Sequence, residues 1–285
     1  MKNIFIKKTI NFGNQIIAMN NLIYYCEILG IKNIFLNYKI NWYIKNDINT
    51  DKIRISLISK NKISCNSKET FCIHLIKVFS PIIIKSKRRS IILEDEIKKK
   101  LPKIKTNKND LYIYIRSADS FKIGGNHYPP SPYCFYQKVI SNFKFNDIYL
   151  ISRDDKSPII GKLLKEFPKI KHELNSKEVD ISTLMNDYNL VNSVSSFSLA
   201  FIIFNDNLVN LFEYENYQYG TFIIHFHYDF DKLDREFNIY RMKPSEEFYV
   251  KTFVWENTDE QRKLLFKDKC KYDFRKTRYT KTFFD

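Results

Sequence analysis

Cysteine, glycine and long apolar runs are the scarce features of this sequence, and each scarcity excludes something. The five cysteines, Cys26, Cys65, Cys72, Cys134 and Cys270, are odd in number and form no CxxC pair. That pattern indicates neither a disulfide framework nor a zinc knuckle, so reduced thiols in a cytosol-like compartment are the expectation. No apolar stretch reaches the roughly 20 residues that cross a bilayer, and no signal peptide precedes the first strand. The chain as it stands is expected in the cytoplasm, with the secretory-pathway lumen as the alternative for a chain carrying an N-terminal anchor ahead of Met1. Glycine, 6 residues in 285, is low for an α/β protein. With Ile, Asn and Lys abundant, this is the signature of AT-rich coding, in which Lys and Asn replace Arg and Gly where structure permits.

What is present fits a soluble globule: 44% hydrophobic residues in a chain long enough for one large domain or two smaller ones. The net charge of +15 would ordinarily favour nucleic acid, anionic membrane or phosphorylated ligands. The coding bias weakens that inference, because the charge is spread along the chain. Only Lys85 to Arg89, Lys98 to Lys108 and Lys267 to Lys281 are locally dense. A nucleic-acid module would bind any long polyanion with steep salt dependence. No recognised nucleic-acid motif is present, and no nucleic-acid partner is expected.

In chain order, Lys2 to Lys7 predicts a strand, followed by Asn11-Phe12-Gly13-Asn14-Gln15. Apolar residues then recur at Ile16, Met19, Leu22, Ile23, Cys26 and Leu29, the spacing of an amphipathic helix that Gly30 stops. Strands are predicted at Asn33 to Asn37, Ile53 to Ser59 and Thr70 to Lys77, and a helix at Ile91 to Leu101. The charged segment Lys98 to Asp110, with Pro102 inside it, is the predicted domain junction. Beyond it, strands at Leu111 to Arg116, Asp147 to Ser152, Lys169 to Glu173, Leu190 to Val194 and Val209 to Tyr214 alternate with helices. Those helices are predicted at Pro132 to Asn142, Ser157 to Phe167, Val179 to Tyr188 and from Ser195 onward. Such alternation predicts a parallel sheet covered on both faces, with ligands at the C-terminal strand ends. Arg116 and Ser195 both fall at such ends.

After Tyr214 the pattern loosens. His225 and His227 alternate onto one face of a possible strand, Phe222 to Phe230, but no third ligand of convincing type stands near, and no metal site is expected. Thr258 to Gln261 fits a capping box that opens a helix to about Cys270. The tail, Lys271 to Asp285, is basic and aromatic, either a loose end or a strap.

The chain is organised around Val179 to Leu208. There an apolar run reaches Ser195 and Ser196, and Phe197-Ser198 leads into a second apolar run. Strand, tight turn, helix is the reading, with hydroxyls at the helix start. The first helical N–H groups lack internal partners and that end of the helix is positive, so an anion such as a diphosphate suits it. A plain serine N-cap on a buried helix accounts for the same residues.

Three pieces together resemble a family. Phe12-Gly13-Asn14-Gln15 followed by a helix resembles the "G-x-GNQ" opening of the fucosyltransferase superfamily, which includes α-1,2-, α-1,6- and protein O-fucosyltransferases. Tyr112 to Asp119, YIYIRSAD, resembles its "H-x-R-x-G-D" strand end. Asp180 with Leu184-Met185, then Asn192 and Ser195-Ser196-Phe197-Ser198, resembles the block that ends in N-S-S-F-S. Order and spacing agree from about Phe12 to Leu211. The departures are Tyr114 for the family's histidine and Ala118 for its glycine.

The resemblance implies an α/β, GT-B-like fold with two Rossmann-type domains facing a cleft. They are expected as an acceptor-side domain over residues 1–105 and a nucleotide-sugar-binding domain over 106–250, with a helix and basic tail over 251–285. It implies an inverting, metal-independent glycosyltransferase that moves a sugar, fucose as the best guess, from a nucleotide-diphosphate donor such as GDP-fucose to a hydroxyl on a glycan or protein. Its donor site would comprise Gly13, Asn14, Gln15, Arg116, Asp180, Ser195, Ser196, Phe197 and Ser198. Arg116 would clamp the leaving phosphate with a forked guanidinium that lysine cannot imitate. Asn14 would hold the β-phosphate or sugar, and Asp180 would support the donor site or the nucleoside, or else merely cap its own helix. Asp119 would act as general base or else merely cap its loop. His127 is an alternative base, and with Tyr128 it lies where acceptor contacts would gather. The same fold without catalysis, as a nucleotide-sugar or glycan binder or a scaffold, is the alternative.

Overall fold

The structure, a computed structural model, describes residues 3–6, 12–36, 47–51, 53–57, 70–73, 90–122, 129–193, 195–215, 236–271 and 273–279. The chain divides into two compact units between Leu101 and Pro102. Each has its own mainly parallel sheet flanked by helices, the two Rossmann-type α/β units that the resemblance implies.

In the first unit β1 (Asn3–Ile6) leads to α1 (Phe12–Ile28), followed by β2 (Asn33–Leu36), β3 (Ile48–Asn49), β4 (Arg54–Leu57), β5 (Thr70–Ile73) and α2 (Ile91–Lys98). The strand order is β3-β4-β2-β1-β5, parallel except for the short β3 on the edge. Sequence periodicity predicts one apolar face for α1, but Gln15 to Ile23 are all buried, Asn20 and Asn21 included. Asn20 shows why: its side-chain oxygen accepts from the Ser90 N–H at 2.7 Å, and Ser90 in turn caps α2 by accepting from Leu93 N. Gly30 does stop α1. It stands at φ +65°, where only glycine is unstrained, and the Ile31 N–H reaches back to the Cys26 carbonyl at 2.8 Å, closing a Schellman turn.

The second unit runs β6 (Leu111–Tyr114), a 3-10 turn (Ala118–Phe121), α3 (Tyr133–Asn142), β7 (Ile148–Ile151), α4 (Pro158–Glu166) and β8 (Ile170–His172). It continues through α5 (Lys177–Leu184), β9 (Asn189–Asn192), α6 (Ser196–Ile202), β10 (Asn210–Tyr214), β11 (Phe237–Met242), α7 (Glu246–Thr252), α8 (Asp259–Lys267) and β12 (Arg275–Tyr279). The sheet order β12-β11-β10-β9-β6-β7-β8 is a doubly wound parallel sheet closed on one edge by the antiparallel β12. Leu111, Ile113, Phe135, Val139, Ile160, Leu163, Val191, Phe212 and Trp255 form its core. Within the tail, β12 pairs antiparallel with β11, so Arg275–Tyr279 is a strap and not a loose end.

Three predictions are corrected here. Helix α5 starts at Lys177, not Val179, because Ser176 caps it by accepting from Val179 N, and it ends at Leu184. Beyond Tyr214, β11 and α7 are regular elements where none was predicted. Cys134 and Cys270 form a disulfide, with Cα atoms 5.7 Å apart across 136 residues, so the reduced-thiol expectation fails for this pair. An odd total says nothing about one pair that only the fold brings together. Cys26 is the free, buried thiol expected, its titration pushed up to about 12 by burial. His225 and His227 lie outside the described residues.

At the N-terminal end of the second sheet, in-register parallel pairing sets Asn189, Asn210 and Asn238 side by side. Asn238 donates to Asn210 at 2.9 Å, Asn210 to Asn189 at 2.7 Å, and Asn189 to the carbonyls of Lys108 and Asp110. The ladder runs from the half-buried Asn238 and Asn210 to the buried Asn189, so each amide in it has a hydrogen-bond partner.

Candidate functional site

Strand β6 lies between β7 and β9, and the chain winds away from β6 in one direction and from β9 in the other. Where winding reverses, the connections diverge and leave a crevice beyond the C-terminal strand ends. The residues that line this point follow directly from the register: Tyr112 pairs with Leu190 and Ile113 with Val191, so Tyr114 and Arg116 emerge beside Ser193 and Ser195.

The Arg116 N–H donates to the Ser193 hydroxyl at 2.9 Å, which fixes the backbone that carries the guanidinium. The next residue is held as well. Ser117 donates its hydroxyl to Asp154 in the loop after β7 and accepts from the Ser157 N–H at 3.0 Å. Asp154 also accepts from the Lys156 N–H at 3.0 Å. The loops after β6 and β7 are therefore one hydrogen-bonded body. The Trp255 indole closes over the 3-10 turn by donating to the Ser120 carbonyl at 2.7 Å.

Tyr114 stands where the family's histidine would be. Its buried hydroxyl lies 3.5 Å from the Ser195 hydroxyl and its ring stacks on Phe197. Burial pushes its titration up to about 12, so it is a neutral phenol at any physiological pH. Ser195 caps α6 by accepting from Phe197 N at 3.2 Å, as its place in the sequence predicts. Ser198 is turned inward: fully buried, it donates to Asn192 at 2.6 Å and its hydroxyl serves the turn itself. Next along the strand ends, the half-buried Glu213 faces Arg241 at 3.4 Å. Burial raises its titration against the pull of Arg241 and Asn192.

Asp180, in the first turn of α5, does not cap its own helix, whose N-cap is Ser176. It is 1% exposed, and among the described residues neither carboxylate oxygen has a hydrogen-bond partner. Among the described residues its ion-pair partner is Arg153, one nitrogen of which lies 3.8 Å away. Burial raises the Asp180 carboxyl to about 7, with Arg153 opposing the rise. A buried carboxylate with open lone pairs is expensive unless something binds it.

The predicted site residues thus fall into groups. Arg116, Asp180, Ser195, Phe197 and Ser198 belong to the same end of one sheet. Asp119 is in the 3-10 turn and Ser196 is the first residue of α6; only their backbones are described. Gly13, Asn14 and Gln15 lie in the first turn of α1 in the first unit, so Gly13 is inside the helix rather than in a turn before it, and Gln15 is buried. His127 and Tyr128 lie outside the described residues. Arg153, Ser193 and Asp154 were missed. Their signal was available, since the predicted strand at Asp147 to Ser152 puts Arg153 at the end of the strand next to β6.

Among the described residues, Cys134, Asp268 and Cys270 are grouped at metal-ligand spacing, but the two sulfurs are bonded to each other and offer no thiolate. No described helix is long and apolar enough to cross a membrane.

No family model and no curated protein matches the sequence. Among solved structures the chain is similar to E. coli heptosyltransferase WaaC with ADP, at 9% identity and a TM-score of 0.44, over 92% of this chain and 100% of that one. It is also similar to NodZ alpha-1,6-fucosyltransferase soaked with GDP-fucose, at 10% identity and a TM-score of 0.39, over 85% of this chain and 95% of that one. NodZ from Bradyrhizobium matches at 8% identity and a TM-score of 0.38, over 85% and 96%. At such identities the likeness concerns the path of the backbone, not the chemistry of the residues.

Proposed function

We propose that this chain is a glycosyltransferase that uses a nucleotide-diphosphate sugar, GDP-fucose being the preferred donor, and that its second unit holds the nucleotide. The observation that carries this reading is the fixed Arg116 backbone at the winding reversal, beside the Ser195 cap and the open carboxylate of Asp180. Cation, hydroxyl and buried acceptor at one strand-end crevice match a phosphate and a nucleoside.

In the proposed reaction an acceptor hydroxyl attacks the anomeric carbon from the face opposite the leaving group. The new C–O bond forms as the bond to the β-phosphate breaks, so the electron pair leaves with the phosphate and the configuration inverts. The acceptor proton passes to a carboxylate, for which Asp119 is the candidate. Negative charge grows on the leaving phosphate, where the Arg116 guanidinium and the first amides of α6 supply positive charge without a metal. Asp180 accepts from the nucleoside. Asn14, of the first unit, is the residue that the resemblance assigns to the β-phosphate or sugar.

Thermal stabilisation by GDP, UDP, CMP, ADP and GDP-fucose tests this, with Arg116→Ala alongside. A ligand bound only by the folded state raises Tm. A rise with GDP and GDP-fucose, lost in the variant while its own Tm holds, is the expected result; a preference for UDP changes the donor. No shift with any nucleotide, in a folded protein, overturns the reading. The Tyr114 and Ala118 departures favour a second reading, a non-catalytic binder of the same ligand. Release of GDP from GDP-fucose during an acceptor screen separates the two.

A further inference from the structure

Arg153 belongs to no motif that the sequence presented, yet it is the residue through which the site reaches its most exposed contradiction, a buried carboxylate without a hydrogen bond. It leaves the end of β7 with 47% of its side chain exposed and meets Asp180 at 3.8 Å. The separation is that of an ion pair without a direct hydrogen bond, so Arg153 neutralises the carboxylate's field and leaves its lone pairs open. Both partners act on the buried Tyr114 hydroxyl, Asp180 against its ionisation and Arg153 in favour of it, as does Arg116 from the loop after β6. The pair therefore lies at the same crevice as Ser195.

We propose that Arg153 is a positioning residue of this site: it keeps Asp180 a charged acceptor whose oxygens are left for hydrogen-bond donors of the bound nucleoside. The inference rests on the nucleotide reading above. A tighter pairing, such as a bidentate salt bridge, would occupy both oxygens and shut the acceptor off. No cation at all would leave a carboxyl this deeply buried protonated, and so a poorer acceptor. The observed geometry lies between these extremes.

Among the described residues, the charged and titratable groups that act on Asp180 are few. Glu178 on its own helix opposes its ionisation, Arg153 from the β7 loop favours it, and Tyr114 from β6 is neutral. Lys177, beside Glu178, is itself lowered by burial, with Arg153 adding to that fall, and does not replace the arginine. Arg153 is thus the cation on which the charge of Asp180 depends.

The test compares wild type, Arg153→Gln, Arg153→Lys and Asp180→Asn, with two readouts. The first is a carboxyl 13C NMR titration of Asp180, identified by its absence from Asp180→Asn, which needs no ligand. Its midpoint should rise by about one pH unit or more in Arg153→Gln, in line with loss of an opposite charge at this range, and return towards wild type in Arg153→Lys. The second is GDP affinity from pH 5.5 to 9. Wild-type affinity should weaken as pH falls through the Asp180 midpoint. Arg153→Gln should bind at least about fivefold more weakly at pH 7, as the charged fraction falls from about one half to about one eleventh for a one-unit rise, and recover at pH 9. An unmoved midpoint in Arg153→Gln overturns the proposal. So does an equal loss of affinity at every pH, which would make Arg153 a direct phosphate ligand. If wild type binds no nucleotide, the nucleotide reading falls, while the NMR titration still decides whether Arg153 holds Asp180 charged.

Discussion

The two ends of the second sheet are built from the same strands and solve opposite problems. At the N-terminal end, Asn189, Asn210 and Asn238 hydrogen-bond one another in register and finish on two backbone carbonyls. At the C-terminal end three groups of stronger chemistry, Arg153, Asp180 and Tyr114, pair more loosely: 3.8 Å from Arg153 to Asp180 and 3.5 Å from Tyr114 to Ser195. Polar groups closed on themselves stabilise; polar groups left open await a partner. One sheet thus separates holding the fold together from meeting a ligand, and the separation can be broken from either end.

The largest effect is expected at the closed end. Asn189→Ala removes the acceptor for Asn210 and the donor to the carbonyls of Lys108 and Asp110. At about 1–3 kcal/mol for each buried group left unpaired, partly relieved by water, the loss should be about 2–4 kcal/mol in denaturant unfolding. GDP affinity of the folded variant should not change. A loss of affinity equal to that at Arg116 would show that the two ends are not separate.

Asp180→Asn should act in the opposite sense. Asp180 titrates near 7 in the fold, against about 4 in an unfolded chain. Between those values the folded chain holds the extra proton, so its contribution to stability falls as pH rises from 4 to 7 and stays low above 7. The amide carries no such penalty. Asp180→Asn should therefore be more stable than wild type at pH 8, by on the order of 1–3 kcal/mol, with the difference gone near pH 4, and it should bind GDP more weakly. Thermal unfolding at both pH values decides it, and a variant less stable at pH 8 would mean that the carboxylate is well partnered after all.

How much of this was legible depended on whether local sequence carried the determinant. The strands and helices from Leu111 to Tyr214 were readable because each apolar run is bounded by its own cap or turn, and Ser195 announced the start of α6. The amide ladder was not, since Asn189, Asn210 and Asn238 become neighbours only through strand register. β12 was obscured by its charge: Arg275, Lys276 and Arg278 suit an edge strand that must not recruit another, and read as a solvated tail. The Cys134–Cys270 bond spans too much chain for spacing to reveal it. In the site, the motif residues found themselves, whereas Arg153 acquires meaning only from the burial of a carboxylate on another element.

The smallest expected effect sharpens the comparison most. Tyr114→Phe removes one hydroxyl and keeps the ring that stacks on Phe197. That hydroxyl sits 3.5 Å from Ser195, at the outer limit of a hydrogen bond, and Ser195 retains its cap contact to Phe197 N at 3.2 Å. At the closed end of the sheet, loss of a buried polar partner is costly; here it should cost less than about 0.5 kcal/mol, because little is paired in the first place. GDP affinity should fall only a few-fold, with no change in its pH dependence, since a phenol titrating near 12 stays neutral throughout. Calorimetric binding beside unfolding measures both. A stability loss above 1 kcal/mol would show that Tyr114 and Ser195 are a closed structural pair like the asparagines, and that the open end of the sheet begins beyond them, at Asp180.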